Sequence, residues 1–140
     1  PEFQLTNECN APLQLSIIGF EGDSAGGHVF TDVSPEEYTD TEWSEMGTTD
    51  SETYLALGVI PVLPEGSGEI ATPIYVTDVS EAVDNKVVIG TLEPKIELGE
   101  GETERTGADQ ITMTLTAKHG YSFSTDITTS YNITWLFELL

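Results

Sequence analysis

The strongest constraint on the fold is the alternation of side chains in the last eleven residues, 130–140. Large apolar residues take every second position here: Tyr131, Ile133, Trp135, Phe137 and Leu139. Period two is the repeat of a β-strand, and aromatic and β-branched side chains suit a half-covered pleated surface. A lone strand leaves its backbone groups unpaired and its apolar face uncovered. The segment therefore predicts a core strand of a larger β-sheet.

Short apolar runs of the same kind recur along the chain and are separated by turn-forming residues. Alternation predicts one-sided strands, and an unbroken apolar run at 53–62 predicts a central strand. The other predicted strands lie at 13–17, 70–77, 87–89, 96–98, 111–117 and around 121–123. A hairpin turn is expected at 118–120. About nine such strands indicate an all-β, single-domain antiparallel β-sandwich, Ig-like or jelly-roll-like.

The 140 residues fit one domain. Residues 1–10 are predicted to form an extended N-terminal arm or an edge strand, and residues 11–140 the sandwich itself. Helix is limited to one or two short turns in acidic loops. One is expected after Ser34, because Ser34 and Glu37 match a capping box. The other is expected within 78–85.

Charge excludes some classes of partner. The chain has 25 acidic and four basic residues, a formal charge of -21. Such a chain has no electrostatic attraction for phosphate backbones or anionic lipid, which argues against nucleic acid as a partner. Membrane insertion is not expected either, because no apolar run approaches about 18 residues. The acidic residues either form a solvated surface or bind cations.

Calcium is the metal that suits carboxylate-rich loops, because it takes six to eight oxygen ligands in loose geometry. The candidate ligands are Asp32, Glu36, Glu37, Asp40, Asp78 and Asp84. The alternative is that these are solvated loop residues and that the protein has no cofactor. Zinc is disfavoured, since Cys9 and two histidines, His28 and His119, are too few ligands.

Catalytic motifs are missing from the sequence, so no catalytic residue is predicted and the chain is not expected to be an enzyme. Cys9 cannot form a disulfide within the chain, and burial as a small hydrophobic residue is the preferred reading, ahead of an intermolecular bridge. Trp43 stands among acids in a loop. It either plugs the end of the sandwich, the preferred reading, or contacts a ligand.

Three function classes follow. The first is a structural subunit that self-assembles into a cell-surface filament or a virion by strand exchange, with copies of itself as partners. Phe3 and Leu5 would then insert into a neighbour's sheet, and the strand 131–139 would serve assembly or the core. This design resembles pilin-like and viral decoration domains in a general way. The expected location is extracellular, on a cell surface or in a virion.

The second class is a secreted β-sandwich binding module for a glycan or receptor, assisted by calcium, because loops on a rigid sandwich often carry binding. The chain begins Pro1-Glu2-Phe3, without an initiator methionine, so it is expected to be either a processed product, as removal of a signal peptide would give, or a fragment of a longer protein. The third class is a hydrolase that uses paired carboxylates, and it ranks last, since with 25 acidic residues some pair always looks catalytic.

Overall fold

Eight strands and two short helices make up the described part of the chain. The computed structural model describes residues 2–24, 29–46, 52–62, 72–97, 99–101, 108–119 and 129–140. The strands are β1 (Glu2–Thr6), β2 (Leu13–Ser24), β3 (Val29–Asp32), β4 (Glu52–Val62), β5 (Ile74–Tyr75), β6 (Val87–Leu92), β7 (Gln110–His119) and β8 (Thr129–Leu139). The helices are α1 (Asp40–Glu45) and α2 (Val76–Glu81), and a 3-10 turn follows at Val83–Asn85.

The strands form two packed sheets, which confirms the predicted all-β sandwich. Sheet A has the order β1-β7-β4-β3, and β5 also pairs with β4. Sheet B has the order β6-β2-β8. All pairs are antiparallel except β3 with β4, which run parallel. Parallel neighbours need a crossover connection of a dozen or more residues, and residues 33–51 are long enough to provide it.

The core lies between the sheets. Its buried apolar side chains come from both sheets and from α2: Leu15, Ile17, Phe20, Val59, Ile74, Val76, Val79, Ile89, Leu92, Ile111 and Met113. Strand β8 contacts both edges of sheet A. The Tyr131 hydroxyl donates to Asp32 on β3, and the Trp135 ring meets Phe3 on β1 edge-on at 6.0 Å. Since β3 and β1 lie at opposite edges of sheet A, β8 crosses that sheet obliquely.

The first helix begins five residues later than the sequence predicts. Ser34 forms only a turn, in which its carbonyl accepts from the Glu37 N–H at 3.1 Å. The N-cap is Thr39, whose Oγ1 accepts from the Glu42 N–H at 3.2 Å while the Glu42 carboxylate accepts from the Thr39 N–H at 2.8 Å. Both sites match the capping-box pattern. The second is used because a helix from Asp40 turns Trp43 into the protein.

Several predicted strand limits also change. Strand 13–17 continues to Ser24, with a bulge between Ile17 and Gly19. The strand predicted at 70–77 is reduced to Ile74–Tyr75, because α2 begins at Val76 and buries Val76 and Val79. Ile96 is not in a strand; its N–H donates instead to the Asp109 carboxylate. Lys118 and His119 extend β7 rather than forming a turn. Residues 70–71, 98 and 120–123 lie outside the described part.

Gly58 is required by the close approach of β5. A Cβ at this position would lie 2.7 Å from the Ile74 carbonyl oxygen and 2.8 Å from the Tyr75 ring. We expect Gly58→Ala to destabilise the protein by about 1–3 kcal/mol, because backbone cannot move aside cheaply. Gly19→Ala is the control, since its Cβ would meet only the Thr134 side chain, at 3.1 Å. Urea unfolding compares the two, and an equal cost would contradict the assignment.

Candidate functional site

The outer edge of β8 is the longest unpaired strand edge among the described strands, and we call it the β8 edge. Strand β8 has eleven residues, whereas the other strands at a sheet edge, β1, β3, β5 and β6, have five, four, two and six. Strand β2 also has an open side beyond its pairing with β6, over the seven residues 18–24. Short edge strands are one way in which proteins avoid pairing with other chains. The β8 edge lacks that protection.

The β8 edge also carries exposed apolar side chains near its C-terminal end. Phe137 is opposite Leu15 and Leu139 is opposite Leu13, so both side chains are on the core side of sheet B. Yet Phe137 is 48% exposed and Leu139 is 74% exposed. Leu140 follows and is exposed as well.

Because of this exposure, the prediction that the last strand covers the core holds for only part of the strand. Tyr131, Ile133 and Trp135 pack against the core, but Phe137 and Leu139 do not. The physical reason is the position of β1, the last described strand of sheet A on this side. Phe3 of β1 reaches Trp135, and no described part of sheet A covers the residues beyond.

Charge is low along β8, in contrast to the rest of the chain. Glu138 is the single acidic residue from 129 to 140, and the Lys86 ammonium pairs with it. The other described lysines are paired too: Lys95 with Glu8 and Glu97, and Lys118 with Asp40. The β8 edge is therefore a nearly neutral, apolar surface on a strongly acidic protein.

The two residues predicted to insert into a neighbour lie in β1 and contact their own chain. Phe3 is opposite Met113 of β7, and Leu5 is opposite Ile111. Both side chains are partly buried against the core. The N-terminal segment is thus an edge strand of sheet A in this structure, and its role in assembly stays a prediction.

A second candidate site is an open cleft of about 670 Å³ beside α1, which we call the acidic cleft. It brings together three of the predicted calcium ligands, Glu36, Asp40 and Asp78, from two distant segments. Its other lining residues are Ser34, Pro35, Tyr38, Thr39, Thr72, Pro73, Tyr75 and Lys118. Tyrosine and proline side chains thus form the walls of the cleft. Its charged groups are three carboxylates and one ammonium.

The carboxylates of the acidic cleft are engaged locally. Asp40 accepts from the Lys118 ammonium at 2.6 Å, and this contact lowers the pKa of Asp40. Asp78 accepts from the Tyr75 N–H at 2.8 Å and caps α2. Within the described ranges, no three His, Cys, Asp or Glu side chains lie close enough together to hold a metal ion.

The remaining candidate ligands stand apart from the acidic cleft. Glu37 and Asp84 are exposed, and Asp84 has a φ of 59° in the 3-10 turn. Asp32 accepts a hydrogen bond from Tyr131. The structure therefore brings half of the predicted calcium ligands to one cleft and leaves the others dispersed. His28 lies outside the described residues.

Trp43 is 3% exposed, and its ring lies beside Lys118 of β7 in sheet A. Its Nε1–H donates to the Pro35 carbonyl at 3.1 Å, Tyr38 meets its ring edge-on at 5.5 Å, and the Lys118 ammonium is 5.6 Å from the ring centroid. These contacts favour the plug over the ligand anchor, because no broad ring surface is open. Cys9, by contrast, is exposed, so its expected burial is wrong.

Three residues of the acidic cleft could not be predicted from the sequence: Lys118, Tyr38 and Tyr75. The sequence predicts a turn at Lys118, whereas its place in β7 brings it to Asp40, 78 residues away in sequence. Of the elements around the acidic cleft, only α1 has a signal in the sequence: the spacing of Thr39 and Glu42 matches a capping box.

Asp32 and Tyr131 join the two sheets through a hydrogen bond of 3.2 Å. Burial raises the pKa of Asp32, and the Tyr131 hydrogen bond partly opposes this. Burial and the Asp32 charge likewise raise the pKa of Tyr131. A raised aspartate pKa means that the folded state holds the proton more tightly than the unfolded state does. Ionised Asp32 therefore costs stability, and the cost appears as the pH rises above the ordinary value of 3.8.

We expect Asp32→Asn to raise the urea midpoint slightly at pH 7, because the amide still accepts from Tyr131 without a buried charge. The gain should vanish as the pH falls through the ordinary aspartate range. Glu37→Gln removes an exposed charge and controls for the general effect of lower net charge. A D32N gain no larger than that of E37Q, or independent of pH, would contradict the assignment.

No helix among the described residues is long and apolar enough to cross a membrane. Comparison of the chain with protein-family models, with curated proteins and with solved structures found no match.

Proposed function

We propose that the chain is a non-enzymatic structural subunit that packs against copies of itself, in a cell-surface filament or in a virion, by strand addition. The observation that carries the proposal is the β8 edge: eleven residues whose outer side has no described neighbour, with Phe137, Leu139 and Leu140 exposed beside it. Open strand edges with apolar side chains are templates for pairing with another chain.

Charge supports a second copy as the partner. A like copy also carries -21, so it can approach only where the surface is locally uncharged. The β8 edge is such a place, because Glu138 is neutralised by Lys86. A cationic partner would instead be drawn to the acidic faces and would gain nothing from this edge.

Exchange of β1 between copies is a second form of strand addition. Phe3 and Leu5 would make with a neighbour's β7 the same contacts that they make within the chain, which is the basis of domain swapping. Deletion of residues 1–10 tests this form. Assembly that survives the deletion would exclude β1 exchange and leave the β8 edge as the interface.

The test of self-assembly is sedimentation velocity and negative-stain electron microscopy across a range of protein concentrations, in about 0.15 M and 1 M salt. We expect concentration-dependent oligomers, favoured by high salt because screening weakens the repulsion between copies. Monomers under every condition would overturn the proposal.

Leu139→Lys is expected to weaken self-association at least tenfold, because it places a charge at the apolar end of the β8 edge. Lysine on an edge strand is a common natural protection against pairing. Val83→Lys is the matched control: Val83 is 84% exposed, lies outside the strands, and undergoes the same change of charge. Equal effects of the two variants on the sedimentation profile would exclude the β8 edge.

A secreted binding module is the second candidate, and the acidic cleft favours it. Volumes of about 300–1,000 Å³ are typical of ligand sites, and tyrosine walls with carboxylates suit a glycan or a cationic group. Thermal shifts with neutral oligosaccharides, with a polyamine and with calcium at matched ionic strength test this function. A Tyr75→Ala variant that keeps the same shifts would place binding outside the cleft.

A further inference from the structure

We infer that two copies of the chain pair β8 with β8, antiparallel, around a two-fold axis that passes through Trp135. This inference rests on the proposed self-assembly and specifies its interface. The two three-stranded B sheets would then join into one sheet of six strands. The starting observation is a symmetry in the sequence of β8, in which apolar residues stand at equal distances on both sides of Trp135.

The sheet geometry restricts the choice of axis. Opposite residues of an antiparallel pair face the same side of the sheet, so the core-side residues of one copy must oppose core-side residues of the other. In a two-fold pair, this condition places a residue, and not a peptide bond, on the axis. The candidates near the middle of the strand are Thr134, Trp135 and Leu136.

An axis through Trp135 gives each of the five alternating apolar residues of β8 an apolar partner. Phe137 then lies opposite Ile133 of the second copy, and Leu139 lies opposite Tyr131. The exposed Phe137 and Leu139 side chains thus gain cross-strand neighbours, since opposite Cβ atoms are about 4.5–5.5 Å apart.

The neighbouring axes are less favourable. An axis through Thr134 leaves the exposed Leu139 opposite Thr129. An axis through Leu136 places the two Glu138 carboxylates four residues apart along the strands, about 13 Å at roughly 3.3 Å a residue. The first axis thus leaves one exposed apolar side chain without an apolar partner, and the second brings like charges closer together. Apolar matching and charge separation together therefore select Trp135.

The same register avoids a charge conflict on the opposite face of the sheet. Glu138 lies opposite Asn132 of the second copy, so the two Glu138 carboxylates are six residues apart along the strands and each keeps its own Lys86. At about 3.3 Å a residue, this separation is roughly 20 Å, beyond the screening length at physiological salt.

Engineered cysteines test the register in the full chain. In a Cys9→Ser background, Asn132→Cys and Glu138→Cys are prepared as separate proteins and mixed under mild oxidation. Opposite residues have Cα atoms about 4.5–5.5 Å apart, within disulfide range, whereas each variant alone holds its cysteines roughly 20 Å apart. We expect a disulfide-linked dimer in the mixture and at least tenfold less in either protein alone.

A second pair keeps the test valid if Glu138→Cys weakens the fold by removing the Lys86 contact. Ser130→Cys and Leu140→Cys are opposite in the same register, and both positions are exposed. An Asn132→Cys and Leu136→Cys mixture reports the Thr134 axis instead. Cross-linking of that mixture alone would overturn the Trp135 axis.

The outcomes separate this inference from the proposed function. Wild-type protein that self-associates while neither Trp135-axis pair cross-links would overturn the register but leave self-assembly standing. Wild-type protein that stays monomeric at every concentration and salt would overturn both. Selective cross-linking of both pairs in the mixtures would support both.

Discussion

The Trp43→Ala variant is expected to lose about 3–5 kcal/mol of unfolding free energy, the range seen when a buried tryptophan is truncated. The ring is 3% exposed, and it lies between the Pro35 carbonyl, the Tyr38 ring and the Lys118 ammonium. Its loss would leave a large cavity beneath α1. Urea unfolding followed by circular dichroism measures the loss.

The size of this effect follows from the position of α1. A helix of six residues has little stability of its own, because nucleation costs more than so few hydrogen bonds return. Trp43 is its one buried side chain, so the helix is held largely through that ring. Truncation should therefore release Asp40 from Lys118 and disturb one wall of the acidic cleft.

Two controls sharpen the prediction. Trp43→Phe keeps much of the packing but removes the Nε1–H, so the Pro35 carbonyl loses its donor at a cost of about 1–2 kcal/mol. Phe137→Ala truncates an aromatic ring that is half exposed and should cost less. A Trp43→Ala cost below that of Phe137→Ala would mean that Trp43 does not plug the sandwich.

The strands of the sheets could be predicted because their signal is local. The alternation of apolar and polar residues in 111–117 and 131–139 indicates directly which side chains share a face. The core residues Ile111 and Met113 follow from the same pattern, and both are buried. A period of two thus defines both the element and its inner face.

Whether that inner face is covered could not be predicted. Phe137 and Leu139 fit the same alternation as Trp135, yet they are exposed because β1 is the last described strand on that side. The limit is set by pairing of β1 with β7, more than a hundred residues away. No local pattern reports contacts at that distance.

Composition indicated the acidic character but not the arrangement of the acids. The sequence could not show that Lys118 reaches Asp40 or that Asp78 caps α2. Each of these contacts orients a carboxylate toward a protein donor. The acidic cleft arises from the fold, which brings residues 34–40 next to residues 72–78.

A strong dependence of stability on salt is the other large expected effect. With 25 acidic and four basic residues, and each described lysine already paired, most of the negative charge is left uncompensated. Two like charges about 10 Å apart repel by about 0.4 kcal/mol in water, and unfolding separates them. Some ten such pairs would cost the folded state about 4 kcal/mol at low ionic strength.

We therefore expect the melting temperature to rise by about 10 °C or more between 10 mM and 1 M sodium chloride. The scale is set by the few degrees that each kcal/mol shifts a domain of this size. Most of the rise should occur below about 0.3 M, because screening lengths are already shorter than typical charge separations there. Differential scanning calorimetry at pH 7 measures it.

Comparison of cations separates screening from binding. Screening depends on ionic strength alone, so sodium, tetramethylammonium and calcium chlorides at equal ionic strength should give equal melting temperatures. A site that collects calcium would instead add stability that grows with calcium concentration by mass action. Equal curves would assign the acidic surface to solvation and repulsion, and the same screening would then permit two β8 edges to meet. An excess for calcium would point to a cation site and favour the binding module over the structural subunit.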